Sequence, residues 1–225
     1  MFRHDKNLLK DLRVERPNPQ YAVLLQEQVG GSNGELSAGM QYISQSLRVK
    51  DPQIKDLFLD IGAEELSHME MVATLVNLLN GHEVDYRTVN GGTIQAHVVN
   101  GLNPGLMNAS GNPWTANYIA VTGDLCADLL SDIAAEQRAK VVYQYLMRQI
   151  NDKYVLEALD FLLNREEAHN TMFREAFNKV SQTGSNQSFG VTEDSKLYFD
   201  LSNTSGQNFN ANQPTPPSFN SPNRH

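Results

Sequence analysis

Four stretches of this chain carry apolar residues at the three-and-four spacing of one helix face. The first runs from Pro19 to about Arg48, with Tyr21, Leu24, Leu25, Leu36, Met40, Ile43 and Leu47 on the stripe and Gln28 as an exception. Gly30, Gly31 and Gly34 interrupt it. Glycine weakens a helix interior by about 1 kcal/mol, so these three mark either a close approach by a neighbour or a break into two helices. The second stretch opens at Asp51-Pro52, with Asp as N-cap and Pro at the first helical position. It runs to about Asn80, where Gly81 is the stop, and its stripe is Leu57, Ile61, Met69, Val72, Val76 and Leu79. The third opens at Asn112-Pro113 and runs to about 149. The fourth opens at Asn151-Asp152 and ends near Val180, with Leu156, Leu159, Leu162, Leu163, Met172, Phe173 and Phe177 as its apolar contacts.

The segments between are as informative. Residues 82–112 are rich in Asn, Gly, Val and Thr and have no helical period. So long a loop fits a compact domain only if helices two and three are parallel, so that the chain must cross the bundle's length. One such crossover is the connectivity of ferritin-like bundles. The expected fold is therefore all-α, a ferritin-like four-helix bundle over residues 19–184. An arm of residues 1–18, ending in Arg16-Pro17-Asn18-Pro19, precedes it. Residues 185–225, rich in Asn, Ser, Pro and Gln, form an extended tail whose last part, from about Gln207, has the composition of a disordered segment. Within that tail Leu197, Tyr198, Phe199 and Leu201 make an apolar patch suited to docking on the bundle or on a second subunit.

Composition narrows the chemistry. A net charge of −8 argues against nucleic acid or an anionic membrane as the main partner. The single cysteine, Cys126, rules out internal disulfides and cysteine-held iron–sulfur clusters, and reads as a small core residue. No run approaches the length of a membrane span, and residues 1–16 lack the apolar centre of a signal peptide, so a cytoplasmic protein is expected.

Two Glu-x-x-His quartets carry the candidate site: Glu65-Leu66-Ser67-His68 and Glu166-Glu167-Ala168-His169. At that spacing a carboxylate and an imidazole share one helix face. Each quartet follows another glutamate, Glu35 or Glu136, at the same distance of 30 residues. The halves thus superpose at an offset of 101 residues, and Tyr42 and Tyr143 obey the same offset. One Glu from each of two helices and Glu-x-x-His from each of the other two is the donor set of carboxylate-bridged dimetal bundles. Four glutamates and two neutral histidines sum to −4, which two divalent cations neutralise. Oxygen-rich ligation with one nitrogen per ion suits Mn or Fe rather than Zn or Cu. Tyr42 and Tyr143 are placed to donate hydrogen bonds to ligating carboxylates from behind or, equally, to serve as bundle packing. Asp124, Asp128 and Asp132, in an i, i+4 row with Glu136, read as salt-bridged or solvated. Glu64 and Glu167 read as supporting or interhelical groups, and His82 and His97 as surface residues. With no electron-transfer cysteines, a reaction in which the substrate both oxidises and reduces the metal pair fits best, as in peroxide disproportionation.

The sequence resembles the manganese catalases, the non-haem catalases of the ferritin-like superfamily. The likeness rests on the arm before Pro19, Gly30-Gly31 with Gly34-Glu35-Leu36, Glu65-Leu66-Ser67-His68-Met69-Glu70, Glu136 and Glu166-Glu167-Ala168-His169, over roughly residues 15–205. It implies hydrogen peroxide as substrate and two manganese ions per subunit, cycling between the Mn(II) and Mn(III) pairs. The implied ligands are Glu35, Glu65, His68, Glu136 and His169, with Glu166 unligated beside the cluster as proton acceptor. A homo-oligomer, usually a hexamer with terminal segments wrapping neighbours, is also implied. Some members carry an arginine just before the third-helix glutamate, where this chain has Ala135. Others place calcium where Asp56 and Asp60 lie one turn apart, and Asp200, Ser202 and Thr204 offer further oxygens. The same resemblance extends to spore-coat proteins, so a structural protein with a residual dimetal site stands as one alternative. A ferritin-like protein that oxidises or stores iron stands as another.

Overall fold

A computed structural model describes residues 5–81 and 103–183. Five helices build it: α1 (Pro19–Gly30), α2 (Glu35–Ser46), α3 (Pro52–Asn80), α4 (Leu125–Gln149) and α5 (Lys153–Thr183). The first expected helix is thus two, α1 and α2, both packed along α3. The Met107 backbone packs against the end of α1: a Cβ on Gly30 would lie 2.4 Å from the Met107 nitrogen, so only glycine fits there.

The helix starts at Pro19 and Pro52 fall where the sequence predicts. Asn18 caps α1 by accepting from the Gln20 and Tyr21 N–H groups, and Asp51 caps α3 by accepting from Gln53 and Ile54. Asp152 caps α5 in the same way, through Tyr154 and Val155. Asp51 and Asp152 are themselves 101 residues apart, so the repeat extends to the caps.

Direction follows from which residues meet. Glu35 faces His68 while Gly39 faces Gly62, so α2 and α3 are antiparallel. Tyr42 bonds Glu136 and Tyr143 bonds Glu35, so α2 and α4 are antiparallel as well. Helices α3 and α4 are therefore parallel, the arrangement predicted from the long connection between them. Two apolar clusters flank the middle. One holds Leu25, Met71, Leu75, Leu79, Leu159 and Leu162; the other holds Phe58, Leu129 and Phe173. Of the expected α3 stripe, Ile61, Val72, Val76 and Leu79 are buried, joined by Phe58, Met71 and Leu75, while Leu57 and Met69 are only partly so. Leu47 is 70% exposed, outside the core altogether.

The third bundle helix begins at Leu125, twelve residues later than Pro113 suggested. Residues 113–124 hold Thr115, Ile119, Val121, Thr122 and Gly123, poor helix formers. They run instead as irregular chain with one 3₁₀ turn, Ala116–Tyr118; buried glutamines staple this stretch to α2 and the residues just before it to α1. Gln26 Nε2 donates to the Gly105 and Met107 carbonyls, and Gln45 Nε2 to Ala120. Gln41 Oε1 accepts from the Ala120 N–H. The aspartate row is buried and hydrogen-bonded rather than solvated. Asp124 is the α4 N-cap, Asp128 accepts from the Thr122 N–H and hydroxyl, and buried Asp132 accepts from Gln41. Cys126 is half-buried against the second cluster.

The arm lies on its own bundle in residues 5–18. Leu8, Leu12 and Val14 pack on the first cluster, the Glu15 N–H donates to Asp152, and Arg13 stacks 4.1 Å over Tyr154. No helix among the described residues is long and apolar enough to cross a membrane. His82, His97, the Leu197–Leu201 patch and the rest of the tail lie outside the described residues.

Candidate metal centre

Four helices each bring donors to one point between the two apolar clusters. Glu35 comes from the first turn of α2, Glu65 and His68 from α3, Glu136 from α4, and Glu166 and His169 from α5. All six are essentially buried. Two overlapping donor groups result. Glu35, Glu65, His68 and Glu166 offer atoms within 4.8 Å of one another, and so do Glu65, Glu136, Glu166 and His169. Glu65 and Glu166 belong to both groups, which is the layout of two adjacent cation positions with shared carboxylates.

The two halves meet crosswise. The Tyr42 hydroxyl donates to Glu136 at 2.5 Å, and the Tyr143 hydroxyl donates to Glu35. His68 Nδ1 lies 3.9 Å from Glu166, and His169 Nδ1 lies 2.6 Å from Glu65. The last contact is short, yet neither atom is aligned for a hydrogen bond with the other. Glu136 Oε2, both Glu166 oxygens and both His169 nitrogens likewise have no hydrogen-bond partner among the described residues. Polar atoms buried without partners are costly. Donors crowded together but turned toward a common centre are what a bound cation requires, so the residues present fit a metal pair.

Electrostatics point the same way. Burial, then the Glu65 charge, pushes the Glu35 carboxyl up to about 8. Burial and the same neighbour raise Glu136 and Glu166. Burial disfavours a charged His68, but the Glu35, Glu64 and Glu65 carboxylates beside it outweigh that and push the imidazole up to about 12. His169, facing Glu136, Glu64 and Glu65 against the same burial, rises to about 11. Protons thus do the neutralising that two cations would do, and uptake of metal must displace them.

The model of the family of manganese containing catalases matches residues 1–213. The chain belongs to the manganese catalase family. The probable manganese catalase of Clostridium acetobutylicum is 66% identical over the full length of both chains. Protein CotJC of Bacillus subtilis is 39% identical over 78% of this chain and 93% of its own. The crystal structure of KatB, a manganese catalase from Anabaena, superposes with a TM-score of 0.77 at 35% identity, covering 86% of each chain. The likeness read from the motifs and the one found in the structure therefore coincide, ferritin-like bundle included.

Two groups around this family site need comment. A cavity of about 250 Å³ between α4 and α5 is lined by Glu136, Glu166, Asn170, Lys140 and Glu167. Of the six donors only Glu136 and Glu166 line it, and the Lys140–Glu167 ion pair stands on its more exposed side. Glu64, 27% exposed, is bound by Arg165 and also reaches both histidines, although its helix angle pointed it away from the site. Its i, i+4 relation to His68 was the overlooked signal. Asp56 and Asp60 are exposed on α3, while Asp200, Ser202 and Thr204 lie outside the described residues.

Proposed function

We propose that the protein disproportionates hydrogen peroxide, turning two peroxides into two waters and one dioxygen, with a pair of manganese ions per subunit held by Glu35, Glu65, His68, Glu136 and His169. The carrying observation is the buried set of six donors turned toward a shared centre in a chain of the manganese catalase family. Manganese bound there supplies a two-electron reservoir that one peroxide fills and the next empties. In this reading Glu35 and His68 serve one position, Glu136 and His169 the other, and Glu65, within reach of both, joins them.

Glu166 takes the proton-accepting role. Its carboxylate lines the cavity, so an incoming peroxide meets it, and both of its oxygens lack hydrogen-bond partners among the described residues. Its place in both donor groups is equally compatible with ligation. What favours the proton role is that three ligating carboxylates with a bridging hydroxide already supply the needed −4, and that peroxide has to lose protons somewhere. Tyr42 and Tyr143 hold Glu136 and Glu35 in place through their hydroxyls, leaving each carboxylate its second oxygen for metal.

Assembly as a hexamer, a cytoplasmic location and a calcium ion at Asp56 and Asp60, completed by Asp200, Ser202 and Thr204, belong to the same proposal; the hexamer and the calcium position rest on the family resemblance. The test is metal analysis of protein from its native source, paired with oxygen evolution from peroxide in azide, which poisons haem. Two Mn per subunit with azide-tolerant oxygen release are expected. Iron in place of Mn with no oxygen release overturns the reading in favour of an iron-handling protein.

A further inference from the structure

Glu64 stands where the internal repeat changes sign. The offset of 101 residues pairs glutamate with glutamate, histidine with histidine and tyrosine with tyrosine, but it pairs Glu64 with Arg165. These two residues touch: Arg165 Nε donates to Glu64 Oε1 at 2.6 Å and Nη2 to Oε2 at 3.2 Å. A residue that meets its own repeat equivalent must straddle the local twofold axis that relates the halves. His68 and His169 do the same, with their rings stacked at a 5.6 Å centroid distance. Glu64 therefore sits on the axis beside both imidazoles. Its Oε1 is 3.3 Å from His68 Nε2, and its Oε2 is 3.3 Å from His169 Nε2. Neither Nε2 has an aligned hydrogen-bond partner among the described residues.

Resting on the dimanganese reading above, we infer that Glu64 is a positioning residue for both metal ions at once: one carboxylate accepts the Nε2–H of His68 on one oxygen and that of His169 on the other, and so presents both Nδ1 lone pairs to the metal pair. Metal-bound imidazole needs an acceptor for its remote N–H, because that bond fixes the tautomer and the ring angle. The inward nitrogen of each ring is Nδ1, which faces Glu35, Glu65 and Glu166 from His68 and faces Glu65 and Glu136 from His169. Both contacts are longer than a charge-assisted hydrogen bond of about 2.7–2.9 Å, so Glu64 has roughly half an ångström to close on each side.

The broken repeat then has a physical reason. A strictly repeated pair would put two carboxylates against each other on the axis, where like charges repel. Arg165 in the second position instead anchors the one carboxylate bidentately and leaves each of its oxygens a free lone pair for a ring.

The experiment titrates Mn(II) into full-length wild type, Glu64→Gln and Arg165→Met, reading bound metal, melting temperature and the electron spin resonance of isolated Mn(II). An amide has one acceptor oxygen, so Glu64→Gln can serve only one ring and turns an N–H against the other. The expected result is two unequal affinities, one near wild type and one weaker by about 10–100-fold, with a half-loaded species showing the isolated-ion signal. Arg165→Met loses the ion pair but keeps the carboxylate, and should hold both ions with matched affinities. Glu64→Gln that binds both ions as wild type does, or that weakens both equally as the loss of a mere interhelical link would, overturns the inference. If Glu64→Gln does not fold, histidine ¹⁵N spectra of wild type loaded with Zn(II) decide: both rings must be Nε2–H, and an Nδ1–H on either one refutes it. Wild type that takes up no Mn(II) defeats the manganese reading itself, and this inference with it.

Discussion

Stripping the metal should turn the centre into a pH-sensitive weakness. Glu35 moves from its ordinary 4.5 to about 8 on folding, because burial and then the Glu65 charge disfavour its anion. A group raised in this way contributes stability that is fully present below 4.5 and is lost as pH climbs through about 8. Between pH 5 and 8 that is a span of about 3 units, or about 4 kcal/mol at 1.36 kcal/mol per unit. His68 and His169, raised from 6.5 to about 12 and about 11, act in the same direction from pH 6.5 upward. Glu64 and Glu65 shift downward, but their window lies below 4.5 and adds nothing here. Glu35 alone, at about 2–4 °C per kcal/mol for a chain of this size, lowers the melting temperature by about 8–16 °C from pH 5 to 8. Bound Mn replaces the protons and removes the window. Scanning calorimetry of chelator-treated and Mn-loaded protein across that range should show curves that diverge with rising pH. A metal-free melting temperature that holds level or rises refutes the account of how these carboxylates are neutralised.

Other outcomes are as specific. Glu166→Gln should keep Mn occupancy and lose about 10²–10⁴-fold in kcat; loss of one metal per subunit would make Glu166 a ligand instead. Gly62→Ala places a Cβ 2.8 Å from Ile43 Cγ1 in the α2–α3 contact, and should cost about 1–3 kcal/mol by overpacking, read as a fall in denaturation midpoint. Deleting residues from Ser185 onward should lower the oligomer mass in light scattering, and an unchanged mass would remove the tail from the assembly. Anomalous scattering from calcium-grown crystals should place a peak between Asp56 and Asp60, and water alone there disposes of that site.

The donor set was legible because its spacing is locked to the helix period. Glu65 with His68 and Glu166 with His169 can only share a face, and the 101-residue offset carries Glu35 onto Glu136 whatever the loops do. Caps such as Asp51 were legible for the same local reason. What escaped depends on contacts distant in sequence. Nothing near residues 31–34 announces that the Met107 backbone lies against Gly30. Pro113 looks like a helix start until Gln41 and Gln45 claim the backbone of Ala120. Glu64 points away by angle alone, but a glutamate is long enough to turn back once Arg165 holds it from across the interface.

The crosswise tyrosines carry a consequence for how the molecule is put together. Helices α1 to α3 pack mainly on one another, and α4 packs mainly on α5, so each half is a hairpin assembled from near neighbours in sequence. Where the hairpins meet, much of what passes between them belongs to the centre: Tyr42 to Glu136, Tyr143 to Glu35, Glu64 to Arg165. Neither hairpin owns a complete set of donors. The local hairpins are the parts with low loop-closure cost and can form early, whereas their union combines the two apolar clusters with a buried polar centre whose charge has to be neutralised. On the proposed dimanganese reading, the metal pair draws its ligands from both halves, so it clasps them together as well as serving the reaction.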